Sequence, residues 1–423
     1  MKYESSVIVL PSRLRLLHVP SASSETVTVA LTGKVGRRAE LPSEIGAAHF
    51  LEHLFFDGTA KRPNAAQLNQ FLEDQGGVRN GNTGAELVNY FAKVLVDKAE
   101  TAFEFIADIF FDSRLATEDI EKERKVIGHE ASARRDNPSD LLPRTTLSTL
   151  YPGQAIGRTI YDEEANLPKM DRETLMGYMG RSYVRDNFIL TVSGGISEAE
   201  ATTLAGRYFD RFNAGSAVSF ESPALQGGHF VNIVRKDFSQ SCFAVSYRGI
   251  PWLDPRQAAV NLLAAVLGRS ASSRLYQKLR HEHHLAYRLS SYPVSFSDVG
   301  HFTIAAYVKE EDIRRSLEVI FKEAKLLMED GITSAELDRA KNICLSDLLF
   351  RMEDVHERAS SLAGQLAANG RYQDIDEYIG KIKNVQREDV LDAARYIFSD
   401  EPKINILTKT PEGIDLDPSM WSS

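Results

Sequence analysis

The chain has 423 residues, 43% of them hydrophobic, enough to bury sizeable cores and more than one domain usually holds. Its 50 basic and 59 acidic residues leave a formal net charge of -9, with no basic block or basic–aromatic interleaving, which argues against a nucleic-acid partner. Two cysteines, Cys242 and Cys344, exclude a disulfide framework and a thiolate zinc cluster, and no apolar run reaches transmembrane length.

At the N-terminus, Met1 to Val19 mixes Lys2, Glu4, Arg13 and Arg15 with apolar residues, so no continuous signal-peptide core is present. A cytoplasmic protein without membrane partners is the expectation. The first informative element is a helix that Ser43 can cap, that runs without proline from Ile45 to Phe56, and that Gly58-Thr59 can end. It carries His49-Phe50-Leu51-Glu52-His53. At helical spacing His49 and His53 are (i, i+4) neighbours with Glu52 on the same face, while Ala47, Ala48, Phe50, Leu51, Leu54 and Phe55 cover the rest. So apolar a helix should be buried, and two imidazoles and a carboxylate on its polar stripe are costly there unless paired or metal-bound. A pair of core histidines satisfied by hydrogen bonds would fit the same five residues.

A strand over Asn89–Val96 and an amphipathic helix over Ala99–Phe111 follow. Next comes a helix over Thr117–Arg135, whose start Thr117-Glu118-Asp119 suits an N-terminus. Ile120, Glu123, Ile127 and Glu130 share its inward stripe, and Lys122, Arg124 and Lys125 can point to solvent. A hydrolytic zinc site needs a third protein ligand and an open position for water, and these two acids are the best source of the former.

These residues resemble the M16 (pitrilysin-type) metallopeptidases, whose inverted motif is H-x-x-E-H. Between His53 and Glu130 lie 76 residues, Glu123 stands seven before Glu130, and Gly46 to Leu54, Phe56-Asp57-Gly58-Thr59, Leu72 to Gly77 and Asn80 to Tyr90 match the surrounding words. The resemblance implies that His49, His53 and Glu130 hold one Zn²⁺ per chain. Glu52 is then the general base on the metal-activated water, and Glu123 orients His53 or Glu52 instead of serving as a fourth ligand. Asn80 contacts substrate or supports the site. Mn²⁺ or Co²⁺ could take the same ligands. Gly81, where an alanine is common, and Asn89, in a position often apolar, depart from the pattern without touching the ligands.

Residues 214–228, rich in Ala, Gly, Ser and Pro, read as a linker between an N-terminal half, 1–213, and a C-terminal half, 229–423. The halves read as a degenerate duplication. Strand, amphipathic helix and capped helix recur at His301–Val308, Ile313–Met328 and Thr333-Ser334, offset by about 212 to 217 positions. Asn261, Ala264 and Ala265 stand opposite His49, Glu52 and His53, and Ala340 opposite Glu123, so the second copy cannot hold the metal. The expected fold class is α+β, each half a mostly antiparallel sheet of five or six strands on helices, the two arranged as a clamshell.

In the second half, Leu267-Gly268-Arg269 through Ser273–Arg280 to Leu285-Ala286-Tyr287 resembles the family's substrate-holding element. Arg280 and Tyr287 match its arginine and tyrosine, which would donate hydrogen bonds to the substrate carbonyl or its oxyanion. His284 stands where the family usually has glycine, which puts the turn before Tyr287 in question, and the run His281, His283, His284 reads as a solvated helix end. The implied function is a zinc-dependent endopeptidase acting on extended or unfolded peptides in an enclosed chamber, as a homodimer. The alternative is a non-catalytic scaffold or partner subunit of the same family.

Overall fold

In the segment Val88–Leu95 the residues Val88, Tyr90, Ala92 and Val94 are buried while Asn89, Phe91 and Lys93 are only half so, the two-residue period of a strand packed on one face. The computed structural model describes residues 4–225, 227–412, 414, 416, 417, 420 and 421; Met1 to Tyr3 and residue 226 of the expected linker lie outside them. Eleven strands are described: β1 (Ser6–Val9), β2 (Arg15–Pro20), β3 (Thr26–Gly33), β4 (Val78–Thr83), β5 (Val88–Leu95), β6 (Phe188–Gly194), β7 (Phe230–Arg235), β8 (Ser241–Arg248), β9 (Ala286–Ser295), β10 (Gly300–Val308) and β11 (Lys403–Thr408). They form one sheet ordered β1-β2-β6-β3-β5-β4 and another ordered β7-β11-β8-β10-β9.

Without β1, the two sheets have the same plan. Parallel β2–β6 corresponds to parallel β7–β11, and the antiparallel run β6-β3-β5-β4 corresponds to β11-β8-β10-β9. The helix Ala99–Phe111 follows β5 as Ile313–Asp330 follows β10, and Thr117–Arg135 recurs as Ser334–Glu353. Thr333 closes a reciprocal cap with Glu336 at the start of the latter: Glu336 N donates to Thr333 Oγ1 at 3.2 Å and Thr333 N to the Glu336 carboxylate at 2.8 Å.

The chain divides into two compact units, and neither is a contiguous half. The first comprises Met1–Ala131, Ile160–Glu221 and Phe350–Gln373; the second comprises Ser132–Thr159, Ser222–Leu349 and Asp374–Ser423. The boundary at 221/222 falls inside the expected linker, where the described residues carry neither helix nor strand. The halves 1–213 and 229–423 thus exchange one helix each. Pro138–Leu150 covers the second sheet, with Leu141 and Leu142 among Cys242, Ala244, Ala305 and Leu407, and Thr149 Oγ1 donating to Asn405 Oδ1 at 2.8 Å. Val355–Asn369 covers the first sheet, with His356 stacked on Phe91 at 4.3 Å between ring centroids and Arg358 Nη2 donating to Pro20 O at 3.1 Å. Both helices are amphipathic, but amphipathicity records that a face is buried and not which sheet buries it. No helix is long and apolar enough to cross a membrane among the described residues.

The first unit's core is aromatic. Phe55, Tyr90, Phe110, Tyr183, Phe188 and Phe212 meet ring to ring at centroid distances between 4.9 and 5.9 Å, and the Tyr90 and Tyr183 hydroxyls are 2.9 Å apart. Burial pushes both phenols' pKa values up, so each serves the core as a neutral hydrogen-bonding group.

Candidate metal centre

The histidine helix spans Ala47–Phe55. Phe55 is anchored in the aromatic core, and Ala47, Ala48, Phe50, Leu51 and Leu54 are buried as well, which fixes the helix's rotation and turns its polar stripe away from the core. Ser43 does not cap it; it lies in a separate short turn, Pro42–Glu44. The helix begins instead after Gly46, whose φ of 96° favours glycine, and the buried Glu40 carboxylate accepts Gly46 N at 3.1 Å and Ala48 N at 2.9 Å. A carboxylate six residues upstream thus satisfies N-terminal donors and complements the helix dipole. At the other end Gly58 takes a φ of 150°, and a Cβ there would press on Pro63 C at 2.8 Å, so the helix exit requires glycine.

The structure brings His49, His53 and Glu130 together. Glu130 Oε2 lies 3.6 Å from His49 Nε2 and 3.7 Å from His53 Nε2, the imidazoles meet edge to face at 4.9 Å, and one donor atom from each residue lies within 4.8 Å of the others. Donors about 2.0–2.2 Å from a tetrahedral zinc are roughly 3.4 Å apart, so this set fits the ion and leaves one position open. Among the described residues it is the only group of three or more His, Cys, Asp or Glu that meets this spacing.

Each imidazole turns its outer nitrogen to an acid. His53 Nδ1 lies 2.9 Å from Glu123 Oε2, whose other oxygen lies 3.1 Å from Lys122 Nζ; Lys122 in turn reaches Asp57 Oδ1 at 2.8 Å. The bond to His53, with help from Lys122, lowers the Glu123 pKa. Burial acts most strongly on His53 and favours its neutral form, but the Glu123 bond and the charges of Glu130, Glu123 and Glu52 together raise its pKa. Lys122 is exposed, as expected, and from there its ammonium joins this network. Arg124, also expected to point to solvent, donates to the carbonyls of Leu167 and Met170, the latter at 2.8 Å, because the segment following Ile160–Asn166 packs over that side of the helix. Lys125 is exposed as expected.

Glu52 lies on the helix face beside β4. A Cβ at Gly81 would stand 3.0 Å from Glu52 Cγ and 2.9 Å from the Phe56 ring, so the missing side chain lets this strand run close along Glu52. Since β4 is the outermost strand of its sheet, it leaves one edge unpaired within that sheet. Asn80, on β4, is exposed, and its Oδ1 accepts the neighbouring Gly81 N at 3.0 Å. Asn89 points to β3, where its Oδ1 accepts the Thr32 hydroxyl at 3.0 Å.

Arg280 and Tyr287 belong to the second unit, whereas the other predicted site residues belong to the first. Arg280 donates to the Tyr287 carbonyl, and its guanidinium lies 5.4 Å from the centre of the Tyr287 ring, which is 69% exposed. Between them His284 adopts the left-handed conformation at φ 56° and turns Nδ1 to Arg280 O at 3.1 Å. A histidine thus makes the turn that the sequence pattern assigns to glycine.

Three residues were missed from sequence: Glu40, Glu163 and Arg37. Glu163, 7% exposed on Ile160–Asn166, places Oε2 4.0 Å from His49 Nδ1 and Oε1 3.6 Å from Arg37 Nε. It stands beside Asp162 and Glu164 in an acidic run that reads as solvated surface, so no local signal marks it.

Residues 16–164 match the family model described as insulinase (peptidase family M16), and residues 169–344 match the one described as the peptidase M16 inactive domain. A protein of Rickettsia felis named as an uncharacterized zinc protease is 32% identical over 94% of this chain and 96% of its own length. One of Bacillus subtilis, named likewise, is 28% identical over 93% and 96%. A probable mitochondrial-processing peptidase subunit beta of Arabidopsis thaliana is 26% identical over 96% of this chain and 78% of its own. Among solved structures, a protease from Helicobacter pylori superposes with a TM-score of 0.88 over 96% of this chain and all of that one, at 22% identity, a likeness of fold. The sequence relatives and both matched models establish that this chain belongs to peptidase family M16 and to its zinc proteases.

Proposed function

We propose that the protein is a zinc-dependent endopeptidase in which His49, His53 and Glu130 hold one ion and Glu52 is the general base. The observation that carries this reading is the convergence of one donor atom each from His49, His53 and Glu130 within 4.8 Å of one another, with Glu52 on the helix that carries both histidines, in a chain of this family. When bound, zinc supplies Lewis acidity that polarises the scissile carbonyl and makes water a competent nucleophile near neutral pH. Glu52 accepts the proton of the attacking water and passes it to the leaving amine. Glu123 accepts the Nδ1–H of His53, which leaves Nε2 as the donor toward the metal and holds the ring still. The open edge of β4 accepts an extended peptide as an added strand, and because such pairing uses main-chain groups it tolerates many sequences and favours cleavage within a chain. The closeness of Gly81 to Glu52 brings that edge to the base.

The test is a quenched-fluorescence peptide assay on wild type and Glu52→Gln, each with its zinc content measured. The variant is expected to keep one zinc per chain and to lose about 10²–10⁴-fold in kcat. Retention of activity within a few-fold would remove Glu52 from the chemistry. A wild type that holds zinc and cleaves no peptide would favour the scaffold reading.

A further inference from the structure

The two imidazoles are held unequally. His53 has Glu123, from the helix that also supplies Glu130, whereas the acid facing His49 comes from elsewhere in the chain, 33 residues beyond Glu130. Glu163 is buried, which disfavours a carboxylate unless its oxygens have partners, and Arg37 Nε at 3.6 Å and His49 Nδ1 at 4.0 Å are among the groups that face it. The helix that carries it is fastened to the entry of the histidine helix: Asn166 Nδ2 donates to Ser43 O at 3.2 Å and Ile45 O at 2.9 Å. A Cβ at Gly46 would lie 3.9 Å from the Glu163 Cβ, so the two segments are packed together where the histidine helix begins.

We propose that Glu163 is a positioning residue for the metal centre: it accepts the Nδ1–H of His49, so that Nε2 stays the donor toward the metal, while Arg37 holds its other oxygen. The proposal rests on the zinc reading above. A metal-bound imidazole is a stronger Nδ1–H donor than a free one, and outer carboxylates that hold such rings characteristically contribute 10–100-fold to metal affinity. Glu123 and Glu163 would then divide the work, one acid per histidine, with Glu163 coupling metal affinity to the placement of the segment around residue 160.

The test is zinc affinity of the full chain, measured by competition with a chromogenic chelator for wild type, Glu163→Ala and Glu163→Gln, beside thermal melts of the metal-free proteins. Glu163→Ala is expected to bind zinc about 10–100-fold more weakly. Glu163→Gln, whose amide oxygen still accepts a hydrogen bond, should recover most of that loss. Wild-type affinity in both variants, with only the metal-free melts lowered, would show that Glu163 merely supports the fold and would overturn the proposal. Should Glu163→Ala fail to fold, ¹⁵N-histidine NMR of zinc-loaded Glu163→Gln decides: a moved His49 Nδ1–H resonance supports the proposal and an unmoved one overturns it. A wild-type chain that binds no zinc would sink the metal reading itself, whereas zinc bound equally by wild type and both variants sinks this proposal alone.

Discussion

His301, in the second unit, shows how burial of one side chain sets a pH limit. It lies buried on β10 with Nδ1 2.9 Å from Thr303 Oγ1, and desolvation lowers its pKa to about 4. The folded state therefore keeps it neutral while the unfolded chain, with an ordinary histidine near pH 6.5, takes up a proton as the pH falls. Its contribution to stability is full above pH 6.5 and is lost between there and about pH 4. Urea unfolding at pH 7 and pH 5 should show a loss about 2 kcal/mol greater in wild type than in His301→Phe; equal losses would disprove the assignment. The proposed ligands His49 and His53 and the proposed base Glu52 were legible as one helix face because (i, i+3) and (i, i+4) spacing is local helical geometry. The left-handed turn at His284 was legible only through its resemblance to a glycine position, and the conformation itself appears in the backbone.

Among the elements, the helix Thr117–Arg135 has the bounds and inward stripe that its sequence predicts: Ile120, Glu123 and Ile127 are buried and Glu130 is half-exposed. The histidine helix was legible in its faces and not in its cap, because a side chain six residues upstream took the place that Ser43 suggested. Replacing Glu40 with Ala strips the acceptor from two backbone donors at the N-terminus of this helix. A loss of about 2 kcal/mol in unfolding free energy is expected, together with weaker zinc binding because the helix carries two of the proposed ligands. Stability within a few tenths of a kcal/mol of wild type would show that water replaces the carboxylate fully.

For the whole molecule, a metal bound by the folded state alone links stability to zinc concentration. Raising free zinc from zero to a hundred times its Kd should stabilise the protein by about 2.7 kcal/mol. Calorimetry with and without a chelator should show a lower midpoint for the metal-free protein, and where two transitions are resolved only that of the first unit should move, since all three proposed ligands lie in it. An unchanged first transition would mean that the three residues bind no ion in solution. The sequence by itself determined the duplication, the strand and helix periods, the spacing of the proposed ligands and the loss of the set from the second copy, because each depends on residues close in the chain or on one half compared with the other. Only the tertiary structure decided that Glu40 caps the histidine helix, that Glu163 faces His49 and that each sheet takes a cover helix from the opposite half. A buried face or a buried carboxylate leaves its mark in the sequence as a pattern, but its partner is chosen by long-range packing, which no local spacing records.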